Sequence, residues 1–360
     1  MKLINLKLKN YRNCRDLGLN LDARKVLIIG KNAQGKTNIL ESIYFMSALK
    51  SPRASGNLEL INFDAHKTEI SLELIKSDTS VELDFTYDRE KTRELKINKV
   101  KSRPKDFKSV LKTVLFSTSD LLLLRGNPSD RRAWLDRAIS QVYPAYDDRL
   151  GKYDKIRIQK NNFLKDGGSD DALLEVLNEQ LAITGSNIIY LRKKFLDEIE
   201  KIASEKHRII SETEELSIDY ASLPGQDVDE IAAAFRQALE ERKPEELRRG
   251  QACVGPHRDD VIFYINGKEA VKFASQGQQR TIVLALKLSE LDIITEKTGD
   301  EPVLLLDDVL AELDDIRQNY LLKSINNNTQ TIITSVDAIL FEKEFLQDVL
   351  VYKVEKGDIR

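Results

Sequence analysis

The period of apolar and polar positions changes along this 360-residue chain, and the changes divide it. Val26-Leu27-Ile28-Ile29 is a continuous apolar run, the pattern of a strand buried on both faces. Residues 37–49 then carry Ile39, Leu40, Ile43 and Tyr44 at helical spacing. Val81-Glu82-Leu83-Asp84-Phe85-Thr86-Tyr87 alternates with period two, which predicts a half-buried strand in a hairpin region. Over 130–249 glycine and proline thin out, apart from Gly167-Gly168 and Leu223-Pro224-Gly225, and helical stripes dominate. Leu173, Leu177 and Leu181, then Ile188, Leu191, Phe195, Ile199 and Ile202, read as the core of an intramolecular bundle. A coiled coil between chains is not expected, because Gly167-Gly168 and Gly185-Ser186 interrupt any sustained heptad. Apolar runs return at 281–286, expected as a buried helix, and at 303–306 and 330–335, expected as strands. The pattern predicts an α/β lobe built from both ends of the chain with a mainly helical lobe inserted, in parts 1–115, 116–250 and 251–360.

The loop between the first strand and helix, Gly30-Lys31-Asn32-Ala33-Gln34-Gly35-Lys36-Thr37, spells G-x-x-x-x-G-K-T. Glycines let successive backbone N–H groups curl around a β-phosphate, Lys36 reaches the β/γ oxygens as a point charge, and Thr37 offers a hydroxyl to Mg²⁺. The helix that follows adds its N-terminal dipole, so the segment is expected to bind ATP or GTP. Val303-Leu304-Leu305-Leu306-Asp307-Asp308 supplies four apolar residues ending in two carboxylates. Asp307 is expected to hold the metal through water and Asp308 to orient or deprotonate the attacking water. Alone, this run would be a core strand and an acidic turn; a P-loop upstream reverses the preference. Ser275-Gln276-Gly277-Gln278 opens the third apolar stretch, and a helix N-terminus with a hydroxyl and a glycine is a second phosphate-binding device. It is redundant for one site per chain and so suggests two chains, while a plain N-cap is the simpler reading of an isolated S-x-G-Q.

These residues carry a resemblance. P-loop, S-x-G-Q, the Asp-Asp strand and then Glu312-Leu313-Asp314 resemble the Walker A, signature, Walker B and D-loop of ATP-binding-cassette ATPases. The chain is more similar still to the RecF family of DNA replication and repair proteins, SMC-like ATPases without a long coiled coil. The residues are Asn10-Tyr11-Arg12-Asn13, Asn38-Ile39-Leu40-Glu41, Asp130-Arg131-Arg132 with Leu135-Asp136, Gly255-Pro256-His257-Arg258-Asp259-Asp260, and the run from Leu306-Asp307-Asp308 to Asp314. The resemblance implies an SMC-head-like fold and a head that dimerises around ATP and Mg²⁺. Lys36 and Asp308 would be catalytic, Thr37 and Asp307 would serve the metal, and Ser275, Gly277 and Gln278 would cap the partner's γ-phosphate. Arg12 and Asn13 fall in the stretch that contacts nucleotide in related heads, or form a strand-end turn. The resemblance further implies a clamp on double-stranded DNA near single-strand gaps, with RecR and RecO as mediator partners, and slow hydrolysis that reopens it.

Four positions depart from the family pattern. Asp308 replaces the usual Glu and is one methylene shorter, so slow turnover is expected. Ala33 replaces a Gly and is tolerable only if that residue avoids positive φ. No histidine follows Thr331-Ile332-Ile333-Thr334-Ser335, leaving Thr334 or Ser335 to sense the γ-phosphate. Phe116-Ser117-Thr118-Ser119-Asp120-Leu121 lacks the expected Pro-Glu, which puts a lid there in doubt.

Charge is uneven. The net is +9 over 1–115, −5 over 116–250 and −7 over 251–360, giving −3 in all. The basic excess gathers at Arg93, Lys96, Lys99, Lys101, Arg103 and Lys105, beside the alternating strand. Such an edge would neutralise phosphates non-specifically, or lysines there would only deter edge-to-edge aggregation. Residues alone leave these equal, and the resemblance tips the balance toward DNA. Two cysteines, Cys14 and Cys253, and three unclustered histidines match no metal spacing; reduced thiols in the cytoplasm are expected. No apolar run approaches twenty residues, so no membrane span is expected. Beyond the Walker B pair no carboxylate cluster with nuclease spacing is present, which argues against chemistry on nucleic acid. The alternatives are a transporter's nucleotide-binding subunit, which shares the three motifs, and a module in which nucleotide is only structural.

Overall fold

The computed structural model describes residues 1–168, 170–325, 329–337, 348–355 and 357–359. In chain order the first elements are β1 (Lys2–Tyr11), β2 (Cys14–Asn20), β3 (Lys25–Ile29), α1 (Lys36–Ala48), β4 (Lys67–Lys76), β5 (Thr79–Asp88), β6 (Arg93–Ile97), β7 (Val100–Lys101), α2 (Pro104–Val110) and β8 (Thr113–Ser117). Helices follow: α3 (Pro128–Val142), α4 (Tyr146–Lys165) and α5 (Asp171–Ser211), then β9 (Leu216–Ala221), α6 (Val228–Arg249), β10 (Asp260–Ile265), β11 (Lys268–Glu269), α7 (Ala270–Phe273) and α8 (Gln276–Thr298). The chain closes with β12 (Val303–Asp307), α9 (Asp315–Ser324), β13 (Thr331–Ser335), β14 (Val349–Glu355) and β15 (Asp358–Ile359).

Two compact units result, one of residues 1–121 with 283–360 and one of residues 122–282. The division differs from the boundaries read at 115/116 and 250/251. Residues 251–282 group with the middle of the chain because β10 pairs antiparallel with β9 along its full length, Asp260 opposite Ala221 to Ile265 opposite Leu216.

The terminal unit holds two six-stranded sheets. One is antiparallel, in the order β2-β1-β4-β5-β6-β7, and its strands alternate as the period-two pattern requires: Leu72, Leu74, Leu83 and Phe85 are fully buried. The other, β15-β14-β3-β13-β12-β8, is parallel from β14 to β8, and its inner strands are apolar on both faces, as in Val303-Leu304-Leu305-Leu306. Helix α1 buries ten of its residues, including Ile39, Ile43, Phe45 and Met46, and Phe45 meets Phe85 edge to face at 4.7 Å. A helix apolar nearly all round has to be enclosed, and this one is a core element that fixes where its N-terminus points.

In the other unit α5 packs against α4 and α6 and against the sheet β11-β10-β9. Gly185-Ser186, read as an interruption of the heptad pattern, does not break the helix: α5 runs through it for 41 residues. Gly185 is there for space. A Cβ on it would lie 2.5 Å from the Phe235 ring of α6, so its absence lets the two helices approach. Leu177, Leu181, Ile188, Phe195 and Ile199 are buried on this helix, whereas Leu173 is exposed. Replacing Gly185 by Leu is expected to lower stability by about 1–3 kcal/mol through overpacking, although Leu is the better helix former. Chemical denaturation of the two proteins, read by circular dichroism, checks this; an unchanged or raised midpoint would mean that the α5–α6 contact is loose.

Candidate nucleotide site

The parallel sheet decides where chemistry can collect. Its register sets Leu27 opposite Ile333 and Leu306 opposite Ile333 on the two sides of β13, so β3 and β12 end at one edge. The crevice outside the carboxyl ends of such strands is where α/β sheets bind ligands. The loop 30–35 leaves β3 there and enters α1, whose N-cap is Gly35. Gly35 adopts φ 112 and its missing Cβ would press on the Asn13 amide at 3.0 Å, while a Cβ on Gly30 would meet the Val354 carbonyl at 2.5 Å. Gly30 is therefore required by close backbone approach and Gly35 by its conformation, with the Asn13 side chain crowding it. From the other side, Gly357 donates its N–H to the Gln34 carbonyl at 2.9 Å, so the β14–β15 turn props the loop.

Ala33 corrects an expectation. It lies at φ 63, in the left-handed region the sequence reading required it to avoid, and the loop holds it there with a Cβ in place.

Lys36 is 3 % exposed, and its ammonium donates to the Gly30 carbonyl at 2.8 Å and the Lys31 carbonyl at 3.4 Å. The Asp308 carboxylate stands 3.5 Å from the same nitrogen. Thr37 donates its hydroxyl to Asp307 Oδ1 at 3.0 Å, and Thr334 reaches that oxygen at 2.8 Å. Burial raises the Asp307 pKa, and the hydroxyl bonds from Thr334 and Thr37 work against the rise. Asp308 Oδ1 is buried and has no hydrogen-bond partner among the described residues, an acceptor with its capacity unspent. The donor set fits an oxygen-preferring divalent cation: the Thr37 hydroxyl and the Asp307 carboxylate already touch, and a lysine is at hand for phosphate.

Thr334 and Ser335 are 1 % and 3 % exposed. Thr334 Oγ1 accepts from the Asp308 N–H at 3.0 Å, and Ser335 closes a local turn with the Asp337 carbonyl at 2.8 Å. Thr334 thus braces the Asp307 carboxylate and the Asp308 backbone through one hydroxyl.

Arg12 grips Glu41 of α1 with two bonds, Nε to Oε2 at 3.0 Å and Nη2 to Oε1 at 2.6 Å. Asn13 accepts from the Asn38 amide at 2.7 Å and donates to the Gln34 carbonyl at 3.3 Å. Both therefore brace the loop and its helix. The other wall draws on the run 116–121, where the missing Pro-Glu put a lid in doubt. A cavity of about 320 Å³ is lined by Thr37, Glu41, Arg53, Ser117, Ser119 and Asp307 among others. Ser117 ends β8 directly opposite Asp307 in the parallel ladder, a placement that sheet pairing supplies.

In the second unit Ser275 and Gln278 form a capping box. The Ser275 hydroxyl accepts from the Gln278 N–H at 3.3 Å and the Gln278 side chain accepts from the Ser275 N–H at 2.7 Å. Gln278 also donates to Glu214 at 2.7 Å. The plain N-cap reading is thus realised, with Ser275 exposed and Gly277 in the first turn. The two blocks flagged around 130 and 255 come together in this unit: Arg131 clasps Asp260 with two bonds of 2.8 Å, and Arg132 donates to the Asp259 carbonyl at 2.6 Å. His257 is locked neutral. Its Nε2–H donates to the Ala252 carbonyl at 3.1 Å, so Nδ1 accepts from the Tyr153 hydroxyl at 2.6 Å, and burial pushes its pKa down to about 4.

The basic edge is partly neutralised by its own strand neighbours. Lys99 pairs with Glu82 and Asp84 of β5, Lys96 with Glu94, and Arg103 with Asp106. Arg93, Lys101 and Lys105 are exposed and have no carboxylate partner among the described residues.

Ala33→Gly is expected to leave the unfolding midpoint unchanged or raise it by up to about 1 kcal/mol, while Gly35→Ala lowers it by more and weakens nucleotide binding. Thermal scans and fluorescent-nucleotide titrations check the pair; equal losses from both would refute the conformational argument. For His257 the folded pKa lies below the unfolded value, so its contribution is present above about pH 6.5 and is lost as pH falls toward 4. Burial raises the Asp259 pKa to about 6, and that contribution runs the other way, growing as the medium is acidified. His257→Gln should therefore lose less stability than the parent between pH 7.5 and 4.5, by on the order of 2 kcal/mol, as read by denaturant midpoints at the two pH values.

Comparison with known proteins agrees with this geometry along the whole chain. Residues 2–360 match the model of the RecF/RecN/SMC N terminal domain. The DNA replication and repair protein RecF of Bacillus subtilis (strain 168) is 37% identical over 367 residues, with 99% of each chain covered. That of Streptococcus gordonii (strain Challis) is 39% identical over 364 residues, with 100% of each covered. Among solved structures, the recombination mediator protein RecF with ATP, of the RecFOR pathway, superposes with a TM-score of 0.91 at 33% identity, over 100% of this chain and 97% of that one. An Smc head bound to the C-winged helix domain of ScpA reaches 0.56 at 14% identity, covering 100% and 96%, a likeness of fold. The chain belongs to the RecF/RecN/SMC family of head-like ATPases.

Proposed function

We propose that this protein is an ATP-dependent DNA-binding protein of recombinational repair and replication restart, acting in the cytoplasm as a dimer that closes around ATP. The observation that carries the ATPase reading is the junction at one sheet edge of Lys36, Thr37, Asp307 and the unspent oxygen of Asp308. Lys36 holds the β- and γ-phosphate oxygens, exchanging its two loop carbonyls for them. Thr37 and Asp307 hold Mg²⁺, which neutralises phosphate charge when bound. Asp308 Oδ1 accepts a proton or hydrogen bond from the attacking water, and Thr334 keeps both carboxylates in place through one hydroxyl. Water positioning by a carboxylate fixed from below is the part of phosphoryl transfer that a protein can supply without covalent chemistry.

Ser275, Gly277 and Gln278 act in trans on a second copy's γ-phosphate. The capping box is compatible with this, because Ser275 Oγ accepts a bond there and retains its hydrogen for a phosphate oxygen. Exposed apolar residues flank the motifs in each unit, Phe273 before the signature and Ile316 after the D-loop. DNA contact is assigned to the basic edge, led by Arg93, Lys101 and Lys105. Lys96, Lys99 and Arg103 exchange surface ion pairs for phosphates at little cost. Gap preference and the RecO and RecR mediators are carried over from the family resemblance, and the solved relative with ATP is described as a recombination mediator of the RecFOR pathway. The full-length match to RecF proteins displaces the transporter alternative.

Light scattering with and without ATP and Mg²⁺, beside ATPase assays with and without gapped duplex DNA at low salt, tests the reading. ATP is expected to double the mass and DNA to raise the rate. Asp308→Ala should abolish turnover while nucleotide still binds, and Ser275→Arg should bind ATP and stay monomeric. A monomer throughout, or dimerisation retained in Ser275→Arg, would remove the signature from the site.

A further inference from the structure

The block around residues 255–260 does more than hold a turn, because it completes a cavity that the ATPase reading leaves unused. The cavity, of about 440 Å³, lies wholly within the second unit and is lined by α3, α4, α5 and the segment 251–258. Four arginines and two aspartates line it: Arg132, Arg157, Arg192 and Arg258 against Asp136 and Asp154. Both carboxylates are already taken. Arg192 binds Asp136 through Nε and Nη2 at 3.0 Å each, and Arg157 binds Asp154 at 3.1 and 3.2 Å. Of the neighbouring acids, Asp260 is bound by Arg131 and Asp259 by the Tyr220 hydroxyl at 2.6 Å; both attract Arg132 electrostatically without a direct side-chain bond to it among the described residues.

Arg132 and Arg258 are left with a single backbone carbonyl each, Arg132 on Asp259 at 2.6 Å and Arg258 on Ala252 at 3.0 Å. A guanidinium has five N–H donors, so both forks keep most of theirs for the cavity, and each is aimed by the carbonyl it holds. The aiming is rigid. Gly255 adopts φ 123 where a Cβ would meet the Tyr153 hydroxyl at 2.3 Å, the Arg258 N–H closes a turn on the Gly255 carbonyl at 2.8 Å, and His257 is bonded at both nitrogens. Asn161 accepts from the Ala252 N–H at 2.7 Å, which leaves its amide donors for the cavity wall. Two guanidiniums with most of their donors unspent, side by side in a concave polar site, suit an oxyanion that accepts several hydrogen bonds. Cavities of this size accommodate a nucleotide, whereas a duplex side presents a convex surface.

We propose that this cavity binds a phosphomonoester through Arg132 and Arg258, as carried by a free nucleotide or by the end of a nucleic-acid strand. The site is distinct from the P-loop, and its test removes the P-loop's contribution. Full-length protein carrying Lys36→Ala is titrated calorimetrically at low ionic strength with inorganic phosphate, with thymidine monophosphate, and with a short oligonucleotide bearing either a terminal phosphate or a terminal hydroxyl. Saturable one-site binding of phosphate or of a phosphate-bearing probe is expected, weakened at least tenfold by adding Arg258→Gln and partly restored by Arg258→Lys. Arg258 is exposed, so its loss is not expected to unfold the protein; Arg132→Gln supplies the second variant, and thermal midpoints accompany both. Tighter binding of the mononucleotide than of either oligonucleotide assigns a free ligand, and preference for the phosphorylated end assigns a strand terminus. No saturable binding of any phosphate probe, or affinity unaltered in both arginine variants, overturns the proposal without touching the ATPase reading.

Discussion

One carboxylate oxygen, Asp307 Oδ1, receives hydroxyls from two threonines, one on a helix and one on a strand, and the catalytic edge depends on that junction. Thr37 belongs to the helix that follows β3, Thr334 to β13, and Asp307 to β12, so the bond set exists only if β13 lies between the other two in parallel register. A slip of one residue would turn every inward side chain to the opposite face and separate the three. The apolar continuity of β12 and β13 protects this register by making any other pairing expose buried side chains. Packing far from the phosphates thereby fixes the distance between P-loop and Walker B.

The motifs legible in the sequence are those whose parts are local. The P-loop, the strand that ends in Asp307 and Asp308, the alternation of β5 and the helix after Ser275 each need only neighbours in the chain, and all appear as elements. The placements that escaped depend on partners far away in sequence. Ser117 joins the site because β8 pairs with β12, Gly30 is needed because Val354 passes over it, and Arg131 finds Asp260 across 129 positions. The packing role of Gly185 was hidden for the same reason: it is set by Phe235, which no helical periodicity reveals. Ala33 shows the opposite failure, a local rule overridden because the surrounding loop, tied to Gly357 and Asn13, determines the backbone more strongly than one Cβ resists it.

Ser275 shows why two readings of a motif need not compete. As an N-cap it spends one lone pair on the Gln278 N–H, while the hydroxyl hydrogen and the first-turn N–H groups stay directed outward. Capping fixes the serine side chain at the helix start, so the cap and the proposed phosphate contact do not exclude one another. Gln278 differs, since its oxygen and its amide both have partners, Ser275 and Glu214. One amide N–H is left over, and those two partners set where it can point.

The same logic explains an aspartate at position 308. Its backbone lies at φ 51, a left-handed conformation that Asp tolerates better than most residues, and its N–H is anchored on Thr334 Oγ1. The turn draws the main chain toward Lys36, so a side chain one methylene shorter than glutamate still comes within 3.5 Å of the ammonium. A glutamate on this backbone would overreach that position or require the turn to relax. The short acid, the positive φ and the threonine beneath therefore form a single solution, and changing one of them without the others would misplace the unspent oxygen.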